Sequence, residues 1–111
     1  MPKFGTRSKS RLHTCDGRLQ DLFEEVVKSF DCSVLEGHRG KEKQNAAYDK
    51  GNSKLKFPKG KHNKTPSVAV DVIPYPIDWE DRDRMHYFAG FVLGIAKKMK
   101  LKIRWGGDWN M

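Results

Sequence analysis

The sharpest local pattern in the sequence is Lys61-His62-Asn63-Lys64-Thr65-Pro66-Ser67-Val68-Ala69-Val70-Asp71. It sets a histidine in a polar loop and, shortly after, an aspartate inside a β-branched run. Imidazole nitrogen and carboxylate oxygen are both good ligands for a divalent ion, zinc above all. An acid embedded in an apolar strand needs a strong partner, because an unpaired buried carboxylate is costly. A metal would satisfy Asp71, and so would one of the 22 Lys and Arg side chains. The residue types alone leave both partners open. Of the other histidines, His13 lies in a polar N-terminal stretch and His86 on a helical stretch. His38 lies beside a glycine, where a side chain can face a cleft.

These residues must be held by elements that the pattern of apolar positions reveals. Leu19, Leu22, Phe23, Val26, Val27 and Phe30 recur with the spacing of one face of an amphipathic helix. Thr14 or Asp16 is placed to cap its start. Cys32 to Glu36 reads as a short strand ending at Gly37, and Lys41 to Lys50 as a short helix stopped by Gly51-Asn52-Ser53. Residues 52–66 are rich in Lys, Gly, Asn and Pro. They read as a long loop, a feature usually tied to function in compact domains.

Val68 to Ile73 alternates and reads as a strand, with Val68, Val70 and Val72 on the core face and Asp71 on the other. Asp78 is expected to cap a second long helix, whose buried stripe is Met85, Phe88, Ala89, Val92, Ile95, Ala96 and Met99. Lys102 to Trp105 reads as a final strand. Residues 1 to about 13 are expected to form a lead-in arm. Helices and strands mix without regular βαβ pairing. This implies one α+β domain over 1–111: a small antiparallel sheet packed with two long helices and a short one.

Composition narrows the partners. The hydrophobic fraction of 37% suffices for one modest core, and the charged fraction of 32% for a well-solvated surface. The net charge of +8 and pI near 9.6 favour polyanions such as nucleic acid, anionic lipid or acidic wall polymers. No run approaches the roughly 18 apolar residues of a membrane span. Met1-Pro2-Lys3-Phe4-Gly5 lacks the apolar core of a signal peptide. Cys15 and Cys32 have no zinc-knuckle or redox spacing, so two free thiols are expected. The lysine-rich 54–64 loop is the support for nucleic-acid binding, but no nucleic-acid motif accompanies it and the aromatics fall in core stripes. No specific nucleic acid and no membrane is expected as a partner, and the chain is expected to be a monomer.

Four blocks, in order, resemble the phage-type members of the LAS/M15 metallopeptidases, which include L-alanyl-D-glutamate endolysins and D-alanyl-D-alanine carboxypeptidases. The first is Glu36-Gly37-His38-Arg39 with Gln44, Tyr48 and Gly51-Asn52-Ser53. The second is Lys61-His62 with Pro66 to Val72. The third is Pro74 to Trp79, and the fourth is Arg104-Trp105-Gly106-Gly107-Asp108-Trp109. The resemblance covers roughly residues 17 to 109. It implies a LAS/hedgehog-like zinc peptidase domain with His62 and Asp71 as two Zn2+ ligands. It also implies an oxyanion-facing Arg39 and substrate contacts from Gln44 and Ser67. The implied substrate is the peptidoglycan stem peptide, cut at L-Ala–D-Glu or D-Ala–D-Ala. The implied carrier is a phage lysin held in the host cytoplasm until its release to the wall.

Family members carry a third ligand histidine, preceded by an acidic general base, beyond the Trp-Gly-Gly-Asp-Trp block. Here the only histidine after Asp71 is His86, in the wrong element. Asp108 matches the glycine-rich block and not the base. The third ligand and base are therefore expected to lie outside these 111 residues. The alternative is an inactive wall-binding or phage structural relative on the same fold.

Overall fold

The computed structural model describes residues 2–106 and 108–111. Four antiparallel strands form a sheet in the order β1-β2-β4-β3, with β1 Cys32–Glu36, β2 Ala69–Pro74, β3 Arg104–Trp105 and β4 Trp109–Asn110. Helices α1 Thr6–Leu12, α2 Gly17–Ser29, α3 Lys41–Asp49 and α4 Arg82–Lys98 surround it. The α+β architecture expected from the sequence is borne out.

The core follows from the helical spacing. Leu19, Leu22, Phe23, Val26 and Val27 of α2 are buried and join Phe88, Ala89, Val92 and Ala96 of α4. Val34 and Val70 close the cluster from the sheet. Trp109 is its largest member, edge-on to Phe23 at 5.9 Å and to Phe88 at 6.4 Å. Such edge contacts add to the area burial that drives folding. Asp16 caps α2, its side chain accepting the Arg18 amide.

Four expectations need correction. The N-terminal stretch is not an arm: α1 docks on β1, with Ser8 Oγ accepting the Val34 amide and Arg11 donating to the Val34 carbonyl. Its anchors, Phe4 and Leu12, are too few to show a period, which is why composition hid the helix. The long helix is capped by Asp81 and not Asp78, which instead accepts the Glu80 amide in the preceding turn. The stretch 102–105 is strand only at Arg104–Trp105, and it turns back to pair with Trp109–Asn110. The rest of the β2 reading also shifts. Ala69 and Ile73 are buried as well as Val70, because the strand is covered on both sides.

Among the described residues no helix is long and apolar enough to cross a membrane. Both cysteines are free and buried, and burial pushes Cys15 up to about 11 and Cys32 up to about 12. Neither is a reactive thiolate at neutral pH. Replacing Phe23 by Ala removes the ring that seats Trp109, and is expected to cost about 3–5 kcal/mol in urea-unfolding free energy.

Candidate metal centre

The site forms where β1 and β2 lose their regular register. Cys32 pairs with Pro74, Ser33 with Ile73 and Val34 with Val72; the register then shifts so that Glu36 faces Asp71. A bulge of this kind re-aims side chains at a strand end. Here it sets two carboxylates opposite each other, an arrangement that repels unless cations intervene.

Two cationic groups stand against this pair. Arg39 donates through Nε to Glu36 Oε1, through Nη1 to Gln44 Oε1 at 3.0 Å, and its Nη2 is 3.7 Å from Asp71 Oδ2. His62 sits on a single 3-10 turn, Lys61–Asn63, that packs on β2. Its Nδ1 lies 2.8 Å from the Gly37 carbonyl. A carbonyl oxygen only accepts, so Nδ1 carries hydrogen and Nε2 is turned toward the acids. Nε2 is 3.0 Å from Asp108 Oδ2 and 3.7 Å from Asp71 Oδ1.

Gly37 is required for this contact. A Cβ there would meet the Arg11 carbonyl and Thr14 Oγ1, both at 2.3 Å. The backbone can bring its carbonyl to His62 only without a side chain.

Glu36, His62 and Asp71 each offer a donor atom, and these lie within 4.8 Å of one another. The set suits a divalent ion: one imidazole whose other nitrogen is fixed by a backbone carbonyl, and two carboxylates. His62 and Asp71 border a cavity of about 480 Å³ whose lining also includes Arg39, Lys61, Asp108 and Asn110.

The electrostatics follow from burial and proximity. Burial raises Asp71 to about 6; Asp108 and Glu36 add to the rise, while His62 and Arg39 oppose it. Burial alone would lower His62, but Asp108, the Gly37 carbonyl and the Asp71 charge outweigh it, and its pKa is raised. The hydrogen bond from His62 holds Asp108 below the usual carboxylate range. Perturbed acids beside a histidine in a cavity make this cluster the candidate site.

The residues singled out from the sequence separate here. His62, Asp71, Arg39 and Gln44 all border the cavity. Gln44 is buried and fully used: its amide donates to Ser53 Oγ and the Leu55 carbonyl and accepts from Arg39 and Asn63. It positions the loop and Arg39, with no hydrogen-bonding capacity left for a substrate. Ser67 lies away from the cavity lining. It is buried, with Oγ bonded to the carbonyl of Ala69 and accepting the Ala69 amide. Both were offered as substrate contacts, and in both cases neighbouring protein groups occupy the polar atoms.

Two carboxylates were missed. Glu36 stands in the first family-like block but reads locally as a strand end. Its only signal is Arg39 three residues on, with Gly37 between. Asp108 was set aside as part of the glycine-rich block, yet the structure aims it at His62. Nothing local to the sequence marks that pairing, which spans β4 and the 61–63 turn.

The whole chain, residues 1–111, matches the family described as phage L-alanyl-D-glutamate peptidase. The L-alanyl-D-glutamate peptidase of Escherichia phage T5 is 32% identical over 116 residues, covering 97% of this chain and 82% of that protein. The L-Ala D-Glu endopeptidase ChiX of Serratia marcescens has the same fold, with a TM-score of 0.79 at 21% identity, covering 99% of this chain and 90% of that one.

The raised pKa of Asp71 carries a stability consequence. Its folded value, about 6, lies above the ordinary value of 3.8, so the fold disfavours the charged form. The resulting deficit is full above about pH 6 and vanishes as pH falls through the unfolded value. In the presence of a chelator, Asp71→Asn is therefore expected to stabilise the chain by about 1–3 kcal/mol at pH 7.5. The gain should shrink toward zero at pH 4, as read from paired denaturation curves. An equal or larger gain at pH 4 would contradict the reading.

Proposed function

The chain belongs to the phage L-alanyl-D-glutamate peptidase family, and from that premise we propose that it hydrolyses the L-Ala–D-Glu bond of peptidoglycan stem peptides with zinc held at His62 and Asp71. The observation that supports the proposal is the gathering of donor atoms from Glu36, His62 and Asp71 within 4.8 Å of one another, with His62 and Asp71 lining an open cavity. Glu36 is the third donor among the described residues. When bound there, zinc supplies Lewis acidity toward a water and toward the scissile carbonyl.

The chain's own groups do the rest. The Gly37 carbonyl fixes the imidazole of His62, leaving Nε2 as its ligand atom. Arg39 faces the same cavity with its charge permanently on. Its planar guanidinium is held by Glu36 and Gln44, so it meets charge developing on the carbonyl oxygen without reorganising. Asp108 Oδ2 lies 3.0 Å from Nε2, a hydrogen bond that would be released once Nε2 is given to a metal, while Asn110 still donates to Oδ1. Asp108 is the group placed to accept a proton from water. The D-Ala–D-Ala carboxypeptidase reading is the weaker of the two, because both named relatives are L-Ala–D-Glu enzymes. A phage lysin that waits in the host cytoplasm until admitted to the wall belongs to the same proposal.

End-group analysis of digested peptidoglycan separates the reactions. L-Ala–D-Glu cleavage exposes new amino-terminal D-glutamate, and carboxypeptidase action releases free D-alanine. New D-glutamate ends that appear with zinc and disappear with a chelator are expected. Wall binding with neither product would favour the inactive relative. Arg39→Ala should lower kcat by about 10²–10³, the size of loss seen when a charge-stabilising donor is removed. Arg39→Lys should recover little, since an ammonium cannot hold Glu36 and Gln44 together. Retention of more than a tenth of wild-type kcat in Arg39→Ala would remove Arg39 from this role.

A further inference from the structure

A second cavity, of about 260 Å³, lies on the other side of Asp71. It exists because β4 pairs only with Ala69 and Val70 of β2. Among the described residues the remaining length of that β2 edge, from Asp71 to Pro74, has no strand beside it. The gap is walled by Val72, Ile73, Met85 and Phe88, and by the indoles of Trp79 and Trp105. Its lining includes a single charged residue, Asp71. Trp79 is 65% exposed, the most exposed tryptophan, with Tyr75 and Ile77 exposed just before it. Large apolar side chains left open on one rim mark a contact surface and not a core.

Asp71 is the wall shared by two unlike spaces. On one side the cavity is polar, with Arg39, Asn52, Ser53, Lys61 and Asn110. On the other it is apolar and aromatic. The substrate class is asymmetric in the same sense. On the amino side of an L-Ala–D-Glu bond stand the alanine methyl, the lactyl methyl and the ring of an N-acetylmuramoyl sugar, whose C–H face stacks on aromatic rings. On the carboxyl side stand carboxylates and amides.

We infer that the groove beside Trp79 and Trp105 is the subsite for the N-acetylmuramoyl–L-alanyl end of the substrate, and that Trp79 is its principal contact. The inference rests on the peptidase reading, and it fixes the direction in which the stem peptide crosses Asp71. The sugar is directed toward α4 and the D-glutamyl end toward Arg39 and Lys61. Trp79 lies outside the buried cluster, so its loss should leave folding intact. A preformed apolar pocket with one polar boundary is the usual form of a binding site for such a group.

The test compares two ligands on the full chain in chelator, where nothing is cleaved: N-acetylmuramoyl-L-Ala-D-Glu and N-acetyl-L-Ala-D-Glu. NMR titration should give at least tenfold tighter binding of the muramoyl ligand, with the Trp79 indole N–H resonance moving. Trp79→Ala, checked for unchanged thermal unfolding, should bring the two affinities within about twofold. Equal affinities in the wild type, or an undiminished ratio in Trp79→Ala, would overturn the subsite. Cleavage with zinc is scored separately. A chain that prefers the muramoyl ligand but cuts neither retains the subsite and loses the peptidase reading. One that cuts both equally and shows no preference retains the activity and loses the subsite.

Discussion

Everything at the centre of this protein answers one constraint: Glu36 and Asp71 face each other across β1 and β2. Two half-buried acids at that separation cannot both ionise without cations near them. The chain supplies Arg39 and His62, and neither completes the neutralisation. Arg39 commits its Nε to Glu36 and reaches Asp71 only at 3.7 Å. His62 bonds Asp108 more closely than Asp71. Asp71 is left with a raised pKa, set first by its burial and pushed further by Asp108 and Glu36, which His62 and Arg39 only partly offset. A fold selected for stability alone would place an apolar pair there. The deficit falls where Glu36, His62 and Asp71 bring three donor atoms within 4.8 Å of one another.

Keeping that arrangement open requires a brace, and the long loop provides it. Gln44 binds Ser53 and Leu55 on one side and Arg39 and Asn63 on the other. Asn63 in turn donates to the Arg39 carbonyl and accepts the Gly60 amide. The Arg39 amide donates to the His62 carbonyl at 2.8 Å. The arginine and the histidine are therefore tied to each other through backbone as well as side chains. A stretch rich in Lys, Gly and Asn, with few apolar residues, is held in this way: buried amides with all positions filled do the work of a small core.

The legible part of the sequence was the part with a period. The apolar stripe of α2, the alternation of β2 and the stripe of α4 each follow from repeat spacing, and each appears close to its expected place. His62 and Asp71 stood out because an acid in an apolar strand is rare enough to need a reason, and the structure brings them to 3.7 Å. What stayed hidden was pairing across distance. Glu36 opposes Asp71 only because a bulge shifts the register, and a shift of one residue leaves no mark in composition. Ser67 and Gln44 show the opposite relation between residue type and fold. Their residue types suit substrate contact, but only the fold reveals that Ala69, Ser53, Leu55, Asn63 and Arg39 already occupy them.

The same distance effect joins core and site through Trp109. Trp109 and Asn110 form β4, where successive side chains point to opposite faces, and Asp108 sits in the bend just before it. Trp109 is buried among Phe23 and Phe88, while Asp108, beside it, reaches His62. Asn110 faces the site again, holding Asp108 and receiving Lys61. The indole thus acts as the anchor that sets how far the two polar neighbours extend into the cavity. The α2–α4 packing that grips Trp109 therefore fixes the position of the carboxylate at Nε2. Helical spacing near the start of the chain governs the geometry of a site assembled near its end, and this is why neither segment alone discloses what the protein does.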